Sequence, residues 1–170
     1  MMLRTLLVIL FFVIPIGVYA QEPLALESRF NADEVSWVQE PGTATLHGSA
    51  YLKLADGSYL GCGDFHVELL PSAAYADERI YLTYGNNSEG QILMAENPPK
   101  FIPDAEQYHE LNLSAECDDK HRFVFHDVPA GKYYLIAFII WPEGEALAGG
   151  GVMQKVSIAE GQIQSTKLKL

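Results

Sequence analysis

RFVFHDVPAGKYYLIAFIIW, residues 122–141, decides how the rest of the chain is read. Two runs rich in β-branched and aromatic residues flank Pro129-Ala130-Gly131, so the stretch predicts strand, tight turn, strand, the pattern of a hairpin. In the second run Tyr133, Leu135, Ala137, Ile139 and Trp141 would point one way, and Tyr134, Ile136, Phe138 and Ile140 the other. Both faces are apolar, which predicts a central, buried strand. Gly131 ahead of the run and Pro142 behind it argue against a helix of the same length. An aspartate at Ile136 or Phe138 is therefore expected to prevent folding, by placing an unpaired charge in the core.

Upstream, strict alternation begins at Thr43: Ala44, Leu46, Gly48, Ala50, Leu52 and Leu54 share one face, with Thr45, His47, Ser49, Tyr51 and Lys53 on the other. Asp56-Gly57 is a tight-turn dipeptide, and beyond it Phe65, Val67 and Leu69 alternate with Asp64, His66 and Glu68 up to Pro71. A two-residue hairpin there would pair Leu46 with Val67 and His47 with His66. Gly61-Cys62-Gly63 could equally be a loop that carries the second strand into another sheet.

Ser72–Gly85 starts on an N-cap type residue, ends on a C-cap type glycine, and is the best helix candidate. Residues 86–115 hold several acids and prolines and predict at most a short helix around Asp104–Leu111, so 72–115 reads as an insertion. After the central stretch, residues 142–151 read as a glycine-rich loop in which Gly149-Gly150-Gly151 is a flexible corner without phosphate-loop context. Val152–Ile158 and Gln162–Leu170 read as two further strands. The sum is an all-β antiparallel sandwich of about seven strands with a short helical insertion, occupying residues 43–170.

Residues 1–20 combine Arg4, an apolar run, Pro15, Gly17 and small residues at Val18 and Ala20, and predict a signal peptide, with periplasmic or secreted localisation. Residues 21–42 read as a tail whose Phe30, Val35, Trp37 and Val38 could pack back on the domain. The full chain carries −11; loss of Arg4 leaves 10 basic against 22 acidic side chains, one charge more negative at −12. Such a balance disfavours nucleic acid and anionic lipid as partners. Nothing after Ala20 suggests stable membrane insertion. The two cysteines, Cys62 and Cys117, are expected to form a disulfide in an exported chain.

GSAYLKLADG at 48–57, FHVELLP at 65–71 and CDDKHRFVFHDVPAGKYYLIAF at 117–138 together resemble the carboxypeptidase regulatory-like domain, a transthyretin-like (prealbumin-like, Ig-like) β-sandwich. Asp118, Phe123, Phe125, Val128, Pro129, Gly131 and Tyr133 fall where that family has its pattern, and His121 stands where the family has a turn glycine. The resemblance implies an exported, non-catalytic accessory or binding module, a stand-alone bacterial member. The related hydroxyisourate hydrolases end in Tyr-Arg-Gly-Ser; this sequence ends Thr166-Lys167-Leu168-Lys169-Leu170, and the match fails there.

Candidate sites are few. His47 and His66, if cross-strand neighbours, could share a metal and support a hydrolase. Asp118, Asp119, His121, His126 and Asp127 look like ligands on paper, but DDKH lacks the glycine turn and alternating oxygens of a calcium loop. Tyr75, Tyr81, Tyr84, Tyr108 and Trp141 could form an aromatic platform for sugar or peptide. No nucleophile motif or zinc-protease motif is present, so no catalytic residue and no cofactor is expected. The expected function is binding to an envelope protein or a small ligand, with edge-strand pairing through Gln162–Leu170 as a further mode.

Overall fold

The computed structural model describes residues 22–170. The signal-peptide expectation for residues 1–20 lies outside them. Among the described residues nine strands form two sheets. The first sheet holds β1 (Ala44–Lys53), β2 (Tyr59–Gly61), β6 (Arg122–Val128) and β9 (Ile163–Leu168). The second runs in the order β4 (Glu89–Leu93), β8 (Ala146–Ile158), β7 (Gly131–Glu143), β3 (His66–Pro71), β5 (Leu113–Glu116). All pairs are antiparallel except β1 with β9, which run parallel from Thr45↔Ile163 to Ala50↔Leu168.

Alternation positions the core. Leu46, Ala50 and Leu52 of β1, Phe123 and Phe125 of β6 and Leu168 of β9 face Val67 and Leu69 of β3, Tyr133, Leu135, Ala137 and Ile139 of β7, and Val152, Val156 and Ile158 of β8. Each larger side chain buried this way contributes about 1.5–3 kcal/mol. Strand β7 is central, as expected, flanked by β3 and β8.

The hairpin reading of residues 122–141 is corrected. β6 pairs with β1 and β7 pairs with β3 and β8, so Pro129-Ala130-Gly131 is a crossing between sheets. Tyr133 ties the crossing down by donating its hydroxyl proton to the Pro129 carbonyl at 2.8 Å, and the Trp37 ring lies directly on Gly131, where a side chain would collide with it. Asp56-Gly57 does form a turn, but it leads to the short β2; β3 belongs to the opposite sheet. Leu46 therefore faces Phe125 across the ladder, and Val67 faces Ala137 and Ala115.

Two segments read as loops are strands. Residues 86–115 supply β4 and β5, the two edges of the five-stranded sheet. The glycine triplet is the middle of β8, paired with Phe138, Ile139 and Ile140, and the chain reverses instead at Gly144, with φ 64°. These glycines let neighbours rest on bare backbone: Met94 on Gly149, Leu52 on Gly150 and the Tyr84 hydroxyl on Gly151.

The helix expected over Ser72–Gly85 is α1 (Ala74–Tyr84), closed by Gly85 in the left-handed conformation at φ 70°. Its N-cap is Ala73 without a side-chain cap, because the Ser72 hydroxyl donates to Asp77 instead. A second, five-residue helix, α2 (Glu106–Glu110), falls inside the range expected for one. Residues 22–42 pack on the domain through two short 3-10 turns: Val35 and Val38 are buried, and Leu24 bridges to Phe101. The disulfide forms between Cys62 and Cys117, with their Cα atoms 5.8 Å apart.

Candidate functional site

Helix α1 lies across the outer face of the five-stranded sheet and divides it. Its Tyr75, Ala76 and Ile80 pack on Leu70, Tyr134, Ile136 and Met153, forming a second, smaller core. Asp77 anchors it. That carboxylate accepts hydrogen bonds from the Ser72 hydroxyl at 2.7 Å, the Tyr134 hydroxyl at 2.6 Å and the Lys155 ammonium at 3.3 Å. Burial pushes its pKa up, but the bonds from Tyr134, Ser72 and Lys155 outweigh it and hold Asp77 below the usual carboxylate value.

The segment after β4 returns over the same face and is fastened to α1 through Arg79. The guanidinium sits over the rings of Phe101 at 4.4 Å and Tyr108 at 4.6 Å, and donates to Asp104 at 2.6 Å. His109 Nε2 lies 3.1 Å from the same Asp104 oxygen. Phe30 closes the cluster from outside, edge-on to Tyr75 and Tyr108 at 5.5 and 6.1 Å.

Between these elements a cleft of about 190 Å³ remains open. Glu68 of β3 and Ile136 and Phe138 of β7 line it from the sheet; Arg79, Ile80, Thr83 and Tyr84 line it from α1. Pro99, Phe101, Tyr108, His109 and Asn112 line the opposite side. Phe138 is 44% exposed although it belongs to the central strand. The Glu68 carboxylate receives no hydrogen bond or ion pair from another described residue; burial pushes its pKa up, against the weaker pull of His109 and His66. Burial also pushes the Tyr84 and Tyr108 phenols well above their ordinary range, so both remain neutral donors. The cleft can thus offer ring surface, neutral hydroxyl, amide and imidazole groups, and one carboxylate acceptor without a partner.

The five aromatic residues singled out in the sequence do not form one platform. Tyr75 and Tyr108 are buried at 6% and 8% exposure and act mainly as packing, with only an edge of Tyr108 reaching the cleft. Tyr84 lines the cleft, whereas Tyr81 is exposed at 58% and does not. Trp141 lies in a separate groove with Leu54, Met94 and Leu147. Glu68, Phe101, Phe138, His109 and Asn112 were missed. Alternation placed Glu68 correctly on the face away from the core, but no local signal told that the chain folds back over that face.

The histidine pair does not form. His47 lies opposite Val124 and Ser165 in the first sheet, and His66 lies opposite Glu116 in the second. No group of three or more His, Cys, Asp or Glu among the described residues is arranged to hold a metal ion. Asp118 instead builds a turn: it accepts from the Lys120 and Arg122 backbones and the Arg122 guanidinium, whose bonds hold its pKa at about 2. His121 has φ 62°, the conformation a glycine would favour, and its Nδ1 accepts from the Gly63 backbone N–H at 3.1 Å.

No protein-family model matches the chain, and no curated protein sequence matches it. Among solved structures, the chain is similar to a Pseudomonas aeruginosa protein, PA1324, provisionally described as carbohydrate binding, with a TM-score of 0.67 and 22% identity. The match covers 83% of this chain and 97% of that one, and it shows a shared β-sandwich fold. No helix among the described residues is long and apolar enough to cross a membrane.

Proposed function

We propose that this chain is an exported binding module, without chemistry of its own, that takes a carbohydrate in the cleft between α1 and the outer face of β3 and β7. The observation that carries the reading is the lining: exposed Phe138 beside Tyr84 and Phe101, with Glu68, His109 and Asn112 among them. Sugar rings present apolar C–H faces that stack on aromatic side chains and hydroxyls that pair with such polar groups. The provisional carbohydrate-binding description of the similarly folded Pseudomonas protein supports the same reading. Export, to the periplasm or beyond, is supported by the signal-like residues 1–20 and by the Cys62–Cys117 disulfide. Membership of the carboxypeptidase regulatory-like group is supported by the quoted motifs and by His121 holding a glycine-like turn.

Calorimetric titration with a panel of short oligosaccharides tests the site. The expected result is binding by at least one of them, weakened tenfold or more by Phe138→Ala and by Asn112→Ala at unchanged melting temperature. Binding by none, or undiminished binding by both variants, would sink the reading. A second reading, partner binding by strand addition, is supported by β9, which pairs only with β1 and exposes Ile163 at 78%.

A further inference from the structure

The polar groups of the cleft are unevenly committed. Arg79, the one lysine or arginine among the lining residues, is held by Asp104 at 2.6 Å and by the Phe101 and Tyr108 rings, and His109 shares that same aspartate. Asn112 donates its side-chain N–H to the His109 carbonyl at 3.1 Å. Glu68 alone keeps a charged group with neither hydrogen bond nor ion pair, in a half-buried position on the central sheet. A half-buried carboxylate without a protein partner is only partly hydrated, and an occupant that supplies a donor gives it the bond that the protein does not.

The charge of that occupant follows. Arg79 and Asp104 offset one another, so with the histidines counted as neutral the cleft's remaining charge is the negative one of Glu68, in a chain that on the same count is at −11. A uronic acid or a sugar phosphate would bring a second anion beside Glu68 with no free arginine or lysine to receive it. A neutral sugar satisfies Glu68 through a hydroxyl. A protonated amine satisfies it with a charge-assisted bond, roughly twice as strong as a neutral one. The cleft, at about 190 Å³, lies below the roughly 300–1,000 Å³ of sites enclosing drug-sized ligands, so it suits a single ring of a chain whose remainder lies outside.

Resting on the carbohydrate reading above, we propose that the cleft selects a sugar residue bearing a free amine, with Glu68 receiving the ammonium while Phe138 and Tyr84 contact the ring. The ligand class is a partly or fully de-N-acetylated amino-sugar oligomer.

The test uses three probes of equal length, the trimers of glucosamine, of N-acetylglucosamine and of glucose, titrated calorimetrically at pH 6 and 150 mM salt. Wild type is compared with Glu68→Gln and with Glu160→Gln, which removes the same charge from an exposed turn distant in sequence and fold. The expected result is tenfold or greater preference for the glucosamine trimer, abolished by Glu68→Gln and retained by Glu160→Gln. Equal binding of the three trimers, or a preference that survives Glu68→Gln, would overturn amine selection and leave the carbohydrate reading standing. A preference eroded equally by both variants would also overturn it, since attraction to an acidic protein would then explain it. Binding by none of the three would overturn amine selection, with the wider oligosaccharide panel and Phe138→Ala deciding the carbohydrate reading separately.

Discussion

The outer face of β7 is two surfaces end to end. At one end Tyr134 and Ile136, exposed at 0% and 4%, pack under α1, which Asp77 anchors, and Ile136 reaches only the inner edge of the cleft; at the other, Phe138 and Ile140 stand open at 44% and 41%. The residue types are similar, and only the cover differs. Apolar content on both faces therefore correctly announces a central strand but does not say whether each position is packing or a surface held ready for something else.

The sharpest break of that comparison is a pair of aspartates. Ile136→Asp is expected to cost about 5 kcal/mol or more, comparable with the whole stability of a domain, and to yield no cooperative melt by circular dichroism. Phe138→Asp should melt cooperatively and lose ligand. This revises the expectation that both substitutions prevent folding, since the second side chain is almost half exposed. If both variants failed alike, the two ends would be one surface.

Next in size is the disulfide. Loop entropy assigns about 4 kcal/mol to a bridge spanning 55 residues, so replacing Cys62 and Cys117 with serine should lower the denaturant midpoint accordingly.

Asp77→Asn tests the sealed end more gently. The carboxylate is 38% exposed, so solvent screening limits the loss to about 1–2 kcal/mol. Its folded pKa lies below that of an ordinary aspartate, so its contribution is present above the ordinary value and lost as pH falls through the lower, folded one. Urea midpoints between pH 2 and pH 6 should fall more steeply on acidification in wild type than in the variant.

The smallest effect belongs to the open end. Burial holds the folded pKa of Glu68 above that of an ordinary glutamate, so the folded state disfavours its carboxylate; the penalty is full above the raised value and vanishes below the unfolded one. Glu68→Gln is expected to raise the melting temperature at pH 7 by about 1–2 °C and to have no effect near pH 3. A lower melting temperature at pH 7 would mean that the carboxylate is a structural group rather than one left waiting.

Strand positions were legible where side chains alternate, as in β1 and β3, because period two is imposed by the backbone itself, and in β7 from an apolar run bounded by Gly131 and Pro142. Strand partners were not. Pro129-Ala130-Gly131 suits a hairpin and a sheet crossing equally well, and what separates them is the Trp37 ring on Gly131, more than ninety residues away in sequence. β8 was hidden for a different reason: its glycines carry no side chain to alternate, and their purpose shows only when Leu52, Met94 and Tyr84 are seen resting on them. The site was half legible. Tyr84 and Tyr108 could be picked out as aromatic residues of interest, whereas Phe138 read only as part of a buried strand, and the cleft exists only because α1 and the Phe101–Asn112 segment fold over Glu68 from far along the chain. For His47 and His66 the sequence left two readings open, a shared hairpin or a passage through Gly61-Cys62-Gly63 into another sheet, and the fold takes the second.

The parallel pairing of β1 with β9 sets a timetable. Thr45 waits for Ile163 and Ala50 for Leu168, so one side of the strand that opens the sandwich has no partner until β9 has been made. Contacts so distant in sequence slow folding, and a growing chain would carry an unsatisfied strand edge from Lys53 until Ile163 has been added. Without β9, the fully buried Leu168 would also be missing from the core. The architecture thereby acts as a completeness check: a chain truncated ahead of β9 is expected to present itself to proteases as unfinished, and deletion of β9 would report on folding before it could report on a partner.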